Sequence, residues 1–299
     1  MRKIEPYLLK EEHTFGDPSN LLSLQKKIVE DKKVVLEIET DYKKNPEEYK
    51  TEYIDAKRNH LKNCVIGNYL ILKYYEEKSI MADLFHRDSQ KSMLEEDGWM
   101  LPSQLIGVEL MFTGDFPIEE GYMNYFDNNF ERFFGFNIGE PNSRVDRYYK
   151  QAIRCYQEGL YYSCVVSLFP IIESIHQVTT RFNEDRFYKI KDNLDKVPDL
   201  MSKIIKVFNV ENKYIKHIIE QFNDLAKNHY FSNSVKRLEE PKIINRNRVM
   251  HGVFSREISR KDCLQLFCTI SCMNLIKNLL DANDAIESIS EELEKLSSN

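Results

Sequence analysis

Apolar residues recur at three- and four-residue intervals through most of this chain, the spacing that gathers them on one face of a helix. Leu21, Leu24, Ile28, Val35 and Ile38 predict a first helix over 21–38, and Asn45-Pro46 supplies a stop and a restart. Tyr53, His60, Cys64, Gly67, Leu70, Ile71 and Tyr74 then form one stripe of a longer helix whose remaining positions are largely Lys and Glu. On that stripe His60 reads as packing. A third helical segment, 79–95, carries Met81, Leu84, Phe85 and Met93 and ends at the turn Asp97-Gly98, beside the only tryptophan, Trp99. Between 103 and 140 the periodicity gives way to aromatics, among them Phe112, Phe116, Tyr122, Phe126, Phe130, Phe133 and Phe134. Few basic residues interleave with these rings, so core packing is expected of them rather than base stacking.

Gly139-Glu140-Pro141-Asn142-Ser143 predicts a boundary, with Ser143 as N-cap and Asp146 in the first turn of the helix that follows. That helix runs through Tyr148, Ala152, Cys155 and Tyr156 to Gly159. The next starts near Tyr161 and presents Val165, Leu168, Ile172, Ile175 and Val178, with Pro170 as a kink. A polar connector over 181–197 precedes helices over 198–208 and 211–231. Ser259-Arg260-Lys261-Asp262 is a capping pattern for a closing helix with Leu264, Phe267, Cys268, Ser271, Leu275 and Leu279 on one face. The expectation is an all-α protein: an accessory helical domain over 1–140, a helical bundle over 141–283, and a polar, acidic tail over 284–299.

Ten glycines and nine prolines in 299 residues fit long helices better than many short strands. A net charge of −6 argues against a surface coated for nucleic acid. A local basic patch remains. Between Lys236 and Lys261, eight Lys or Arg face three glutamates, and Lys242, Arg256, Arg260 and Lys261 are its candidate phosphate-binding residues. The six cysteines include no Cys-x2-Cys pair, so no metal site is expected; Cys155, Cys164, Cys268 and Cys272 sit in apolar patterns and read as small buried side chains. The N-terminus has no apolar signal core, and no segment reads as apolar enough to span a membrane, so a cytoplasmic protein without a membrane partner is expected.

Within the basic patch lies Arg246-Asn247-Arg248-Val249-Met250-His251, followed by Gly252 and placed at a helix start that Gly252 ends. Arginine keeps its charge and forks two hydrogen bonds onto phosphate oxygens, while histidine exchanges a proton near neutral pH. The pairing suits phosphodiester cleavage. Residues five apart differ by about 140° around a helix, so Arg246 and His251 do not share a face, whereas Asn247 and His251, four apart, do. Asn247 is therefore expected to orient the imidazole or cap the helix, and Arg248 to be a phosphate-positioning or surface group. Glu173 is the candidate supporting carboxylate, with Arg246 as its candidate partner. His176 reads as structural, and His217 and His229 as solvent-facing.

Three parts of the chain together resemble the HEPN family of all-helical ribonucleases found in toxins and phage defence. They are Tyr148-Tyr149-Lys150-Gln151-Ala152 through Glu158-Gly159-Leu160-Tyr161-Tyr162-Ser163; Leu168-Phe169-Pro170-Ile171-Ile172-Glu173; and Arg246 to Gly252, the Arg-polar-x3-His signature. The resemblance covers residues 143–280. It implies a HEPN-like bundle and an endoribonuclease that needs neither metal nor cofactor, with two signatures meeting across a homodimer. The 2′-hydroxyl of RNA would attack the adjacent phosphorus, leaving a 2′,3′-cyclic phosphate and a 5′-hydroxyl, with Arg246, His251 and Asn247 as site residues. Toxins of the family silenced by a nucleotidylated tyrosine carry that tyrosine where this chain has Met250, so that mode of control is not expected. Residues 1–140 match nothing comparable and are left to sense a trigger, bind RNA or mediate assembly; an inhibitory or trigger partner is a further expectation. The competing reading is a non-catalytic HEPN-like binding or dimerisation module acting as sensor or scaffold.

Overall fold

The computed structural model describes residues 18–85, 96–100, 102, 118–136, 138, 143–180, 213–232 and 241–298, and among these there is no strand. The protein is all-α. Helices α1 (Pro18–Lys44) and α2 (Pro46–Phe85) are separated only at Asn45, with Pro46 at the first helical position, where its missing N–H costs nothing. No break falls at residue 79, so the expected third segment continues α2 to Phe85; the remainder of that segment and the helix expected over 198–208 lie outside the described residues. Then come α3 (Ile118–Asn128), α4 (Phe130–Phe134), α5 (Arg144–Gln157), α6 (Tyr161–Thr180) and α7 (Lys213–Asp224). A π-helical turn, Leu225–Tyr230, extends α7, and α8 (Arg246–Met250) and α9 (Arg260–Ser298) close the order.

The chain divides into two compact units, one of residues 1–77, 203–212 and 278–299, the other of 78–202 and 213–277. This is not the division expected at residues 140 and 283. In the second unit the described aromatics of residues 118–136 share their core with α5 and α9. Phe126, Phe133 and Phe134 are fully buried, and Phe130 and Phe134 meet the Phe267 ring of α9 edge-on or tilted at 5.3 Å. Tyr149 and Tyr156 of α5 pack on the same Phe267, so one aromatic cluster joins residues on both sides of 140. Trp99, also fully buried, stacks on Phe126 and donates to Glu119 at 2.8 Å. Its turn requires glycine: Gly98 has φ +90°, and a Cβ there would lie 2.9 Å from the Ile243 side chain.

The expected tail is helical. In the first unit Ile286 and Leu293 are buried, and Glu292 accepts from the Tyr53 hydroxyl at 2.9 Å and pairs with Lys57. Burial opposes the Glu292 charge, but these bonds outweigh it and hold its carboxyl below the usual range. His60 is buried on the α2 stripe with Tyr53, as its spacing predicts.

In the second unit every residue of α9 from Asp262 to Asn274 is buried. Residues 260–282 are in fact long and apolar enough to cross a membrane, contrary to the sequence expectation, and 83% of the 18-residue apolar window within them is buried inside the protein. Two of its polar side chains are bonded within the fold: Gln265 donates to the Asp97 carbonyl at 2.6 Å, and Thr269 bonds the Tyr230 hydroxyl at 2.9 Å. Cys164, Cys263, Cys268 and Cys272 are buried, whereas Cys155, expected among them, is only partly so. Desolvation pushes the Cys268 and Cys272 thiols well up.

Candidate active site

The site is built on α8, a helix of five residues that would not form unaided. Asn245, just before it, is buried, and its Oδ1 accepts from the Arg248 N–H at 3.0 Å, making the N-cap. Its Nδ2 donates to the His229 carbonyl at 2.5 Å and the Ser232 carbonyl at 3.1 Å, which ties α8 to the end of the π-helical turn. At the other end Gly252 adopts φ +65°. Its N–H reaches the Val249 carbonyl at 3.1 Å and that of Val253 reaches the Arg248 carbonyl at 2.9 Å, a Schellman closure. The sequence placed this helix and its glycine stop correctly. Asn247 is expected to orient the imidazole or cap the helix, and the cap is made by Asn245.

Arg246 occupies the first helical position. Its Nε lies 3.0 Å from Glu173 Oε1 on α6, close enough for an ion pair though the N–H is not aimed for a hydrogen bond. This is the pairing the sequence proposed. Its Nη1 donates to Asn247 Oδ1 at 3.2 Å, and Asn247 Nδ2 donates to the Ser232 carbonyl at 3.3 Å. Glu173 is largely buried; desolvation raises its carboxyl above the ordinary range, and the Arg246 charge opposes that rise without cancelling it.

His251 is the C-terminal cap residue of α8 and is exposed. Its backbone N–H bonds the Asn247 carbonyl at 3.0 Å, but the imidazole makes no hydrogen bond to a described residue, so the orienting contact expected from the Asn247 side chain is absent. The Arg246 and His251 side chains sit at opposite ends of α8 with no direct bond between them. Arg248 is only 6% exposed, so of the two roles expected of it, phosphate-positioning or surface group, the surface one does not hold. Its backbone N–H is the one Asn245 caps.

The basic patch is largely neutralised within the chain. Arg256 forks onto Asp262 at 2.6 and 2.8 Å, and Asp262 also accepts from the Ser259 N–H and hydroxyl, each at 2.8 Å. This completes the capping box predicted for α9. Arg260 pairs with Asp127 at 2.7 Å, Lys261 with Glu119 at 2.5 Å and Lys242 with Asp97 at 3.3 Å. None of these four is a free cation waiting for phosphate. His217 and His229, expected in solvent, are half-buried because α7 and its π turn bury Ile218, Ile219, Phe222 and Tyr230. The His176 side chain lies outside the described residues.

Two contributors escaped the sequence reading. Asn245 carried a usable signal, since Asn just before a helical run is a cap residue. Tyr162 carried none: its hydroxyl donates to the Val249 carbonyl of α8 at 3.2 Å across 87 residues. Among the described residues no group of three His, Cys, Asp or Glu side chains could hold a metal ion. No protein-family model, no curated protein and no solved structure matches the chain.

Proposed function

We propose that the protein is a HEPN-type endoribonuclease acting as a homodimer without metal or cofactor. The observation that carries the reading is α8 itself: a short helix, capped by Asn245 and closed by Gly252, with a carboxylate-tethered guanidinium at its start and an exposed imidazole at its end. His251 takes the proton of the ribose 2′-hydroxyl, the oxygen attacks phosphorus, and the bond to the 5′-oxygen breaks. Arg246 neutralises charge on the phosphoryl oxygens. A histidine from the second copy returns a proton to the departing 5′-oxygen, leaving a 2′,3′-cyclic phosphate and a 5′-hydroxyl. Met250 and Val253, exposed apolar residues flanking His251, support a second copy docking there. DNA lacks the attacking hydroxyl, so RNA is the substrate.

Purified protein is expected to cut RNA in EDTA with those end groups, and Arg246→Ala and His251→Ala each to abolish cutting. Cleavage that survives both changes sinks the reading. The pairing of Lys242, Arg256, Arg260 and Lys261 with carboxylates favours the second reading, a non-catalytic helical binding or dimerisation module. That reading stands if wild type leaves total RNA intact and both variants still fold and assemble like it.

A further inference from the structure

Beside α8 lies a cleft of about 490 Å³, lined by Leu160, Tyr161 and Tyr162 at the start of α6 and by Phe254, Arg256 and Ile258 beyond Gly252. The volume falls in the range, roughly 300–1,000 Å³, of sites that hold small ligands. Tyr162 is unusual among its linings. Its hydroxyl is pinned to the Val249 carbonyl of α8, yet 54% of the residue is exposed. A ring held at its polar end with its body uncovered is a preorganised stacking surface, because the entropy of fixing it is already lost.

The charge in the cleft narrows the occupant. Arg256 lies over the Phe254 ring at 4.8 Å, but both arms of its guanidinium are committed to Asp262, and Glu257 adds a further carboxylate to the lining. A phosphate would find no net positive charge there. A nucleobase is neutral, apolar on its faces and polar at its edges, and matches aromatic walls with carboxylate and hydroxyl groups at the rim. The cleft is also continuous with the site: its Phe254–Ile258 wall starts three residues after His251, and its Tyr162 touches the same short helix.

We infer that this cleft is a nucleobase subsite, in which an unpaired base of the RNA, next along the strand from the scissile phosphate, stacks on Tyr162. This inference rests on the ribonuclease reading, which it deepens to a single-stranded substrate. Because the ring is tied to α8, a base bound there also steadies the helix that carries His251.

The test uses the full chain carrying His251→Ala, which cannot cut, and a fluorescein-labelled single-stranded oligoribonucleotide of mixed sequence, read by anisotropy. Adding Tyr162→Ala is expected to raise Kd roughly tenfold, the loss of one stacked base, while the slope of log Kd against log salt stays the same because no phosphate contact is removed. Tyr162→Phe, which keeps the ring, should lose much less and guards against misfolding in the alanine variant. Equal Kd for Tyr162→Ala and its parent overturns the subsite. So does a weakening accompanied by a shift from dimer to monomer in sedimentation, which would mean that a second copy of the chain covers the cleft. If wild type fails to cut RNA while binding still depends on Tyr162, the ribonuclease reading falls, and with it the place beside a scissile phosphate, while the stacking of a base on Tyr162 stands. If wild type cuts and Tyr162 is indifferent in binding, only the subsite falls.

Discussion

Two helix starts in the second unit each pair an arginine with a carboxylate, and they are built for different ends. At the head of α9, Arg256 and Asp262 form a two-pronged bridge at 2.6 and 2.8 Å, and Asp262, nearly inaccessible, is further fixed by Ser259. At the head of α8, Arg246 meets Glu173 through one 3.0 Å contact that lacks hydrogen-bond alignment, although its side chain, about a third exposed, is no more open to solvent than that of Arg256. The first pair is saturated and locks a cap. The second holds a cation in place while leaving donors to spare, which is what a group must do if it is to meet a phosphate. Basic residues alone do not mark a nucleic-acid site; the unspent capacity of each one does.

The comparison breaks most sharply under alanine. Asp262→Ala removes the bridge and the capping box together and strands Arg256, so the free energy of unfolding should fall by about 2–4 kcal/mol in urea titration, a range drawn from cap losses and from partly buried ion pairs. Arg246→Ala should change that quantity by less than about 1 kcal/mol, since its one unaligned contact contributes little and the buried Glu173 left behind can neutralise by taking up a proton, while abolishing RNA cleavage. Equal destabilisation by the two changes would make Arg246 one more structural arginine.

Asn245→Ala tests whether α8 depends on its cap. The side chain is buried and serves both the Arg248 N–H and two carbonyls, so a loss of about 1–3 kcal/mol is expected in the same titration. Asn245→Asp keeps the acceptor and loses the donors, and it should recover only part of the loss. Full recovery would show that the tie to the π turn contributes nothing.

Local order was legible and long-range company was not. Ser143, Gly159, Ser259 and Gly252 each act within a few residues of their position, and each of those helix ends lies where the sequence placed it. The unit boundary depends on Phe130 and Phe134 reaching Phe267, a contact between segments more than a hundred residues apart that no window of sequence contains. The ion-pair partners of the basic patch were hidden for the same reason. Asp97, Asp127 and Glu119 lie far upstream of Lys242, Arg260 and Lys261, so the count of charges between 236 and 261 could not register them. The Arg246–Glu173 pair was legible because a lone acid on an apolar helix needs a partner.

The two glycine stops sharpen the contrast at a smaller scale. Gly159 and Gly252 have φ +74° and +65°, and a Cβ at either would meet nothing within 4 Å, so alanine costs only backbone strain. Both variants should lose about 1–2 kcal/mol. Only Gly252→Ala should also slow RNA cleavage measurably beyond its effect on folding, because the closure it disturbs sets the direction of His251; matched rates for the two variants would remove that role.

The smallest effect is the most discriminating. Burial lifts the Glu173 carboxyl above its ordinary range more than Arg246 lowers it. Folding then takes up a proton between the unfolded and folded values, and stability falls as pH rises through that window. Glu173→Gln removes the titration. It should therefore melt slightly above wild type at neutral pH, with the gap closing as pH drops below the ordinary carboxylate range, where Glu173 is protonated in both states. A saturated clamp gives the opposite sign, with the glutamine variant melting lower at neutral pH and converging with wild type in acid. Calorimetric scans across pH decide between them: the first pattern leaves Arg246 tethered but available, and the second makes the head of α8 a structural lock like the head of α9.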